Sequence, residues 1–182
     1  MPPIERPSNR DKILEAAMNL VRDQGVGKLT IEAAAKAAGV SKGGVLYHFP
    51  SKTDLIRAML ARVLEQWEAL HAQHFDREPH GPYRWMRSCI QATFDPDSPC
   101  CKDPLGTALL AGLAHDPELV EPLRERYRLW MEQSTEGVPN PALVGVVALM
   151  GDGLAFHQLI GLNVLTPEQR ECIKNAALDL LK

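Results

Sequence analysis

Apolar residues recur every three or four positions along most of this chain, which is the spacing that places them on one face of an α-helix. The pattern predicts helices at about residues 9–25, 31–38 and 42–48. Thr30 and Ser41 directly precede the second and third of these helices, where side-chain oxygens cap helix N-termini. This first part of the chain therefore predicts three helices, of which the second and third are short.

A long fourth helix is predicted next, and the rest of the chain also has a helical pattern. Ser51 and Asp54 form a start that is similar to a capping box, and apolar residues continue at helical spacing toward Phe75. After a break at residues 79–82, further helices are predicted at residues 85–94, 105–114, 118–134, 141–162 and 167–181. No segment has the alternation of a β-strand, so the sequence predicts an all-α fold of about nine helices.

Length and charge narrow the class of protein. The chain has 182 residues, of which 45% are hydrophobic, and these suffice for a core in one large or two small domains. No apolar run reaches the roughly 18 residues of a membrane span, and the polar start offers no secretory signal, so we expect a cytoplasmic protein. The net charge is +4 up to Arg62 and −7 beyond it. This asymmetry favours a first part that binds nucleic acid and a remainder that avoids phosphates.

The stretch TIEAAAKAAGVSKGGVLYHFPSK, residues 30–52, carries the most specific signal. Its two short helices are joined by a tight turn at Gly39, as in a helix-turn-helix, whose second helix enters the major groove of DNA. The stretch contains three features in succession: a Gly-Val-Ser-Lys-Gly turn, a helix with an aromatic residue and a histidine, and a Phe-x-Ser-Lys segment. In this signature the chain resembles the TetR family, at Gly39, Val40, Ser41, Lys42, Gly43, Tyr47, His48, Phe49, Ser51 and Lys52.

The resemblance implies a homodimeric transcription regulator that responds to a ligand. It implies an N-terminal three-helix helix-turn-helix DNA-binding domain at residues 1–52 and a C-terminal helical ligand-binding and dimerisation domain at residues 53–182. The expected partners are a double-stranded palindromic DNA operator, a second copy of the chain and a small-molecule effector, with no cofactor. Repression is expected where the operator overlaps a promoter, and activation stays open.

Polar side chains around the motif suggest how it holds the DNA backbone. Tyr47 and His48 have polar-tipped rings near the end of the recognition helix, where they can donate to phosphates. Lys52 and the amides that begin the next helix can hold another phosphate. By resemblance, Thr30 also donates to a phosphate while it caps its own helix. These contacts set the position of the protein on DNA.

Base contacts are expected at the opposite end of the recognition helix. Lysine can bond guanine, and glycines permit a close approach. The residues predicted to bind DNA are Thr30, Ser41, Lys42, Gly43, Gly44, Tyr47, His48 and Lys52. Gly44 stands where the family often has Thr or Ala, and Leu46 where many members carry an aromatic residue, so no operator sequence is carried over. The predicted core of this small domain includes Val40, Val45, Leu46 and Phe49.

The later helices offer candidates for the dimer and ligand sites that the resemblance implies. Small and apolar residues alternate within residues 143–162, which allows helices to approach closely. The predicted dimer interface, for which an internal core is the alternative, comprises Val146, Val147, Met150, Leu154, Ile173, Ala177 and Leu180. The predicted ligand pocket comprises Trp67, Trp85, Met86, Cys89, Phe94, Leu109, Leu113 and Phe156, with Asp152 or His157 as a polar anchor.

Three other interpretations compete with a ligand-responsive regulator. His71, His74 and His80 could bind a metal, but no carboxylate or thiol completes the set, and we predict no metal site. Cys100 and Cys101 beside a lysine could sense oxidants, although inert cysteines are the simpler interpretation. A helical protein that binds protein partners without DNA is the third. We predict no enzyme, because the sequence has no phosphate-binding loop, nucleophile elbow or metal motif.

Overall fold

The computed structural model describes residues 8–98, 105–106, 109, 117–159, 161–162 and 164–182. Within these residues eight α-helices can be given bounds and there is no β-strand, which confirms the predicted all-α fold. Of the predicted helix 105–114, only residues 105, 106 and 109 are described, and all three are helical. The helices are α1 (Asn9–Gln24), α2 (Ile31–Ala38), α3 (Lys42–His48), α4 (Lys52–Arg77), α5 (Arg84–Phe94), α6 (Pro117–Thr135), α7 (Pro141–Leu159) and α8 (Pro167–Leu180).

Side-chain caps explain where several helices begin. The hydroxyl oxygens of Thr30, Ser41 and Ser51 accept backbone N–H groups at 3.0, 3.0 and 3.1 Å, and so satisfy amides that have no partner inside the helix. Ser8 caps α1 in the same way. Gly39 ends α2 with φ 67°, a left-handed conformation that glycine adopts without strain. The start and stop signals in the sequence therefore act as predicted.

A first hydrophobic core joins α1, α2 and α3 to the first turns of α4. Val45 and Phe49 of the α3 segment are buried in this core, as predicted, and Met59 of α4 is fully buried beside them. The same cluster continues to Leu109 and to Leu119 of α6. Packing is thus continuous along α4 across residue 52, where the sequence predicts the boundary between the two domains.

A second core lies around α5, which packs against α4, α6, α7 and α8. Tyr83 precedes α5 with φ 60°, and its buried hydroxyl accepts the Asn140 N–H at 2.8 Å. Arg87 of α5 lies 2.6 Å from Glu78 and also donates to the carbonyl of Leu181 beyond α8. These contacts join the α4–α5 corner to the start of α7 and to the end of the chain.

Candidate nucleic-acid interface and effector cleft

The helix-turn-helix predicted from sequence is present at α2 and α3. Between the two helices, the Val40 N–H donates to the Ala35 carbonyl at 3.0 Å, which closes the turn around Gly39. Ser41 then caps α3 by accepting the Gly44 N–H. Because α3 has only seven residues, its orientation depends on Val45 and Phe49, which anchor one side of it in the first core.

The opposite side of α3 faces outward. Tyr47 has 83% of its surface exposed and meets the half-buried His48 edge to face, with ring centroids 5.0 Å apart. Leu46 is 36% exposed, so its predicted place in the core is wrong: the helical spacing that buries Val45 and Phe49 turns residue 46 away from that core. Leu46 and Tyr47 together give this surface an apolar and a polar-tipped side chain.

Most residues predicted to bind DNA are accessible. Gly44, like His48, is half-buried, while the others are exposed: Thr30, Ser41, Lys42, Gly43, Tyr47 and Lys52. The Nζ atom of Lys52 lies 3.5 Å from the Val26 carbonyl, which places the start of α4 beside the loop after α1. Exposed cations therefore lie at the start of α3, Lys42, and shortly after its end, Lys52.

Lys42, the first residue of α3, forms an ion pair with α2. Its Nζ atom lies 2.6 Å from a carboxylate oxygen of Glu32, and both side chains are largely in solvent. The hydrogen bond and the positive charge of Lys42 hold the pKa of Glu32 below its usual value. The sequence analysis did not identify Glu32, although it stands within the motif.

A second candidate site is a cleft between α4, α5 and α6 with a volume of about 350 Å³. Aromatic rings dominate its walls, and charged groups stand at several points around it. The residues that line the cleft are Glu68, His71, Ala72, Phe75, Asp76, Trp85, Arg126, Leu129, Trp130 and Gln133. Apolar walls with few polar groups are typical of small-molecule sites.

His71 is the centre of the aromatic side of this cleft. Its ring lies parallel to that of Trp67, with centroids 5.3 Å apart, and 4.3 Å from the ring of Trp85. Trp67 also contacts Trp130 of α6 at 4.7 Å. Burial of the imidazole lowers the pKa of His71, so the ring is held in its neutral form. The buried indole N–H of Trp85 has no hydrogen-bond partner among the described atoms.

The cleft includes only one member of the predicted pocket, Trp85. Met86 and Leu109 are buried in the two cores, Cys89 and Phe94 pack against the second core, and Phe156 is 54% exposed. Asp152 is exposed and accepts a hydrogen bond from the Tyr127 hydroxyl, while His157 is half-buried. Leu113 lies outside the described residues. The i, i+4 spacing of residues 67, 71 and 75 was the signal that could have identified the aromatic row.

The three histidines considered for a metal have separate partners. His71 is 2.8 Å from the Ser88 hydroxyl, His74 is 2.8 Å from Asp95, and His80 is beside Arg84. Among the described residues there is no cluster of His, Cys, Asp and Glu that could hold a metal ion. Cys100 and Cys101, the thiols considered for redox sensing, lie outside the described residues.

The residues predicted to form the dimer interface lie on two faces. Val147, Leu154 and Ala177 are buried within the chain, and the first and last of these belong to the second core, so they have little surface left for a partner. Val146 and Leu180 are 56% and 50% exposed, whereas Met150 and Ile173 are half-buried. Exposed apolar residues that the prediction omitted are Leu149, Leu162 and Val164.

The architecture and the exposed motif together define a helical protein with an N-terminal helix-turn-helix and a separate cleft. The chain belongs to the TetR family. The family model for bacterial regulatory proteins of the tetR family matches residues 13–59, and the model for the tetracyclin repressor-like C-terminal domain matches residues 83–182. The family resemblance deduced from the motif is thereby confirmed. No helix in the described ranges is both long enough and apolar enough to cross a membrane.

Individual relatives and solved structures agree with this assignment. The transcriptional regulator TtgR of Pseudomonas putida is 29% identical over 91 residues, which are 50% of this chain and 43% of TtgR. The chain thus matches less than half the length of that relative. A member of the TetR family from Streptomyces coelicolor A3 has a TM-score of 0.71 at 22% identity, covering 97% of this chain and 99% of that one. The multidrug binding protein EbrR, complexed with ethidium, has a TM-score of 0.69 at 18% identity, with coverages of 97% and 99%. These two likenesses show the shared fold.

Proposed function

We propose that the protein is a ligand-responsive transcriptional repressor that binds a palindromic operator as a homodimer. The observation that carries this proposal is the outward face of α3, where Tyr47 is 83% exposed and exposed cations precede and follow it in the sequence at Lys42 and Lys52. A surface of this kind serves binding rather than catalysis. It is rigid because α3 is anchored by the buried Val45 and Phe49.

In the proposed complex, α3 enters the major groove of DNA. Lys42 and the glycine surface at Gly43 approach base edges, while Tyr47 and Lys52 contact phosphates. Thr30 contributes its hydroxyl from the N-terminus of α2, because an oxygen that accepts the Ala33 N–H can still donate its own proton to a phosphate. Leu46, exposed beside Tyr47, supplies an apolar contact of the kind that thymine methyl groups accept.

Dimerisation is proposed to use the exposed apolar side of α7 and the end of α8. Val146, Leu149 and Leu180 are between 50% and 71% exposed, and the two helices that carry them both pack against α5. Pairing with the same surface of a second copy would bury them around a twofold axis. Two recognition helices roughly 34 Å apart would then match successive major grooves of a palindrome.

The effector is proposed to bind the cleft between α4, α5 and α6. The unpartnered Trp85 N–H offers a donor to it, and the rings of Phe75 and Trp130 offer stacking surfaces. The cleft is lined by α4, which begins at Lys52 in the DNA-binding region, so a ligand that shifts α4 changes the spacing of the two recognition helices. A ligand that favours the wider spacing lowers DNA affinity.

A mobility-shift experiment tests the proposal. The purified protein is titrated onto DNA that flanks its own gene, over a salt series, beside the variants Tyr47→Ala and Lys52→Ala. We expect salt-sensitive, sequence-preferring binding that both substitutions weaken. Arg124→Ala, which removes an exposed cation of α6 outside the cleft lining, is the matched control and is expected to bind as the unmodified protein does.

Two outcomes would contradict the proposal. Absence of sequence-preferring binding, or binding that is indifferent to both substitutions, would favour a helical protein that binds other proteins. Circular dichroism of the variants excludes unfolding as the cause of lost binding. A reporter gene placed downstream of the bound DNA then shows whether the protein lowers or raises expression, which separates repression from activation.

A further inference from the structure

Glu32 is the one carboxylate in the sequence between Asp23 and Asp54, the segment that contains the whole helix-turn-helix. The same segment holds four lysines, at positions 28, 36, 42 and 52. Glu32 forms its ion pair with the only lysine on the recognition helix, Lys42, at 2.6 Å. The single negative side chain of the proposed DNA-binding surface is thus paired with the cation at the end of α3 that would read bases.

The ion pair is accessible, so a group on DNA can take the place of Glu32 as the partner of Lys42. The side chains of Lys42 and Glu32 are 60% and 62% exposed, and exposed ion pairs of this kind are weak and open to exchange. Gly43 and Gly44 follow Lys42, so the next two residues of α3 add no side chain to this part of the surface. The carboxylate of Glu32 stays ionised, because Lys42 holds its pKa below the usual value.

We propose that Glu32 is a specificity-determining residue that withholds Lys42 from DNA phosphates and releases it where Lys42 bonds a base. The inference rests on the proposed DNA-binding function. On DNA without an operator, binding comes from phosphate contacts, and Lys42 adds little to them because a phosphate would only replace its ion pair with Glu32. At an operator, a hydrogen-bonded base contact is stronger than an exposed ion pair, so Lys42 leaves Glu32. Glu32 therefore weakens nonspecific binding more than operator binding.

The experiment measures nonspecific binding directly and requires no known operator. Fluorescence anisotropy follows the titration of the 182-residue chain onto a short random-sequence duplex over a salt series. The proteins compared are the unmodified chain, Glu32→Gln, Lys42→Gln and the double variant. Glu65→Gln is the matched control, because Glu65 is also exposed in an ion pair, 3.5 Å from Arg62, and its loss changes the net charge equally.

For Glu32→Gln we expect the plot of log affinity against log salt to steepen by about 0.9 for each recognition helix, the effect of one additional phosphate contact. Affinity for the random duplex should rise at least roughly threefold in low salt. In the Lys42→Gln background, Glu32→Gln should leave the slope unchanged. Glu65→Gln should also leave it unchanged.

The proposal is overturned if Glu32→Gln tightens binding equally with and without Lys42, since the effect would then be a general change of charge. It is also overturned if Glu32→Gln binds as the control does. A different result contradicts the proposed function itself: the unmodified protein would show no salt-dependent binding to any duplex. Once an operator is found, the ratio of operator to random-duplex affinity should fall in Glu32→Gln.

Discussion

The Nε2 atom of His71 lies 2.8 Å from the hydroxyl oxygen of Ser88, and both side chains are buried where α4 meets α5. The Ser88 hydroxyl donates its single proton to the Trp85 carbonyl at 2.7 Å, so it accepts from His71. In this arrangement Nε2 of His71 carries a proton, and burial, which lowers the pKa of the ring, favours the neutral form. A second proton would charge a ring that is packed between Trp67 and Trp85.

Acid is expected to destabilise the protein through His71. Burial lowers the pKa of His71 from its ordinary value of 6.5, so the unfolded chain binds more protons below that pH than the folded chain does. The stabilisation is complete above pH 6.5 and is lost as the pH falls toward the lower pKa of the folded protein, by at most about 1.4 kcal/mol per pH unit. Urea unfolding at about pH 7.5 and about pH 5.5 measures this loss.

His71→Phe is the variant that isolates this effect, since phenylalanine keeps the ring and cannot titrate. The free energy of unfolding of the variant should depend less on pH than that of the unmodified protein. His80→Asn, which alters an exposed histidine, should retain the full dependence. Equal pH dependence in His71→Phe and the unmodified protein would mean that His71 does not carry the effect.

Tyr83→Phe is expected to lower the free energy of unfolding by about 1 kcal/mol. The buried hydroxyl of Tyr83 accepts the Asn140 N–H at 2.8 Å, and its removal leaves that N–H without a partner at the start of α7. Urea denaturation measures the change. Tyr47→Phe is the control, since Tyr47 is 83% exposed, and its stability should not change. A loss as small as that of the control would show that the hydrogen bond is replaced by water.

Leu149→Lys is expected to convert the proposed homodimer into a folded monomer. Leu149 is 71% exposed on α7, so a lysine there is harmless in a single chain but places two like charges near a twofold axis. Sedimentation velocity measures the assembly, and circular dichroism checks the fold. Gln133→Lys, an exposed change on α6, should leave the assembly intact. A Leu149→Lys protein that remains dimeric would place the interface elsewhere.

Ligand entry into the cleft should be visible in the intrinsic fluorescence. The chain has three tryptophans, and all of them belong to the aromatic group at the cleft: Trp67, Trp85 and Trp130. Ethidium, a planar aromatic probe, is expected to quench them in the absence of DNA. Ala72→Phe fills the cleft with a larger side chain. It should raise the ethidium concentration needed for half-maximal quenching at least roughly tenfold.

The control for this experiment is Ala142→Phe, an exposed position on α7 outside the cleft lining. It should leave the quenching curve unchanged. If ethidium quenches Ala72→Phe and the unmodified protein at the same concentrations, the probe binds at another place. The proposal of DNA binding would be unaffected by that result.

Local signals were sufficient for the helices and for the helix-turn-helix. Thr30, Ser41 and Ser51 cap the helices that the sequence assigned to them, because a cap is an interaction between residues three apart in the chain. The orientation of α3 was harder to predict. Leu46 looked as apolar as Val45, and only the direction in which α3 packs determines that Val45 is buried and Leu46 exposed.

The sequence by itself determined the all-helical class, the start of each capped helix and the family motif, since these depend on neighbouring residues. Only the tertiary structure decided the rest. It brought His71 of α4, Trp85 of α5 and Trp130 of α6 to one cleft and paired Glu32 with Lys42. It also buried Val147 within the chain while leaving Val146 exposed. These relationships depend on the rotation and crossing of separate helices, which the packing of the whole chain sets and no local pattern encodes.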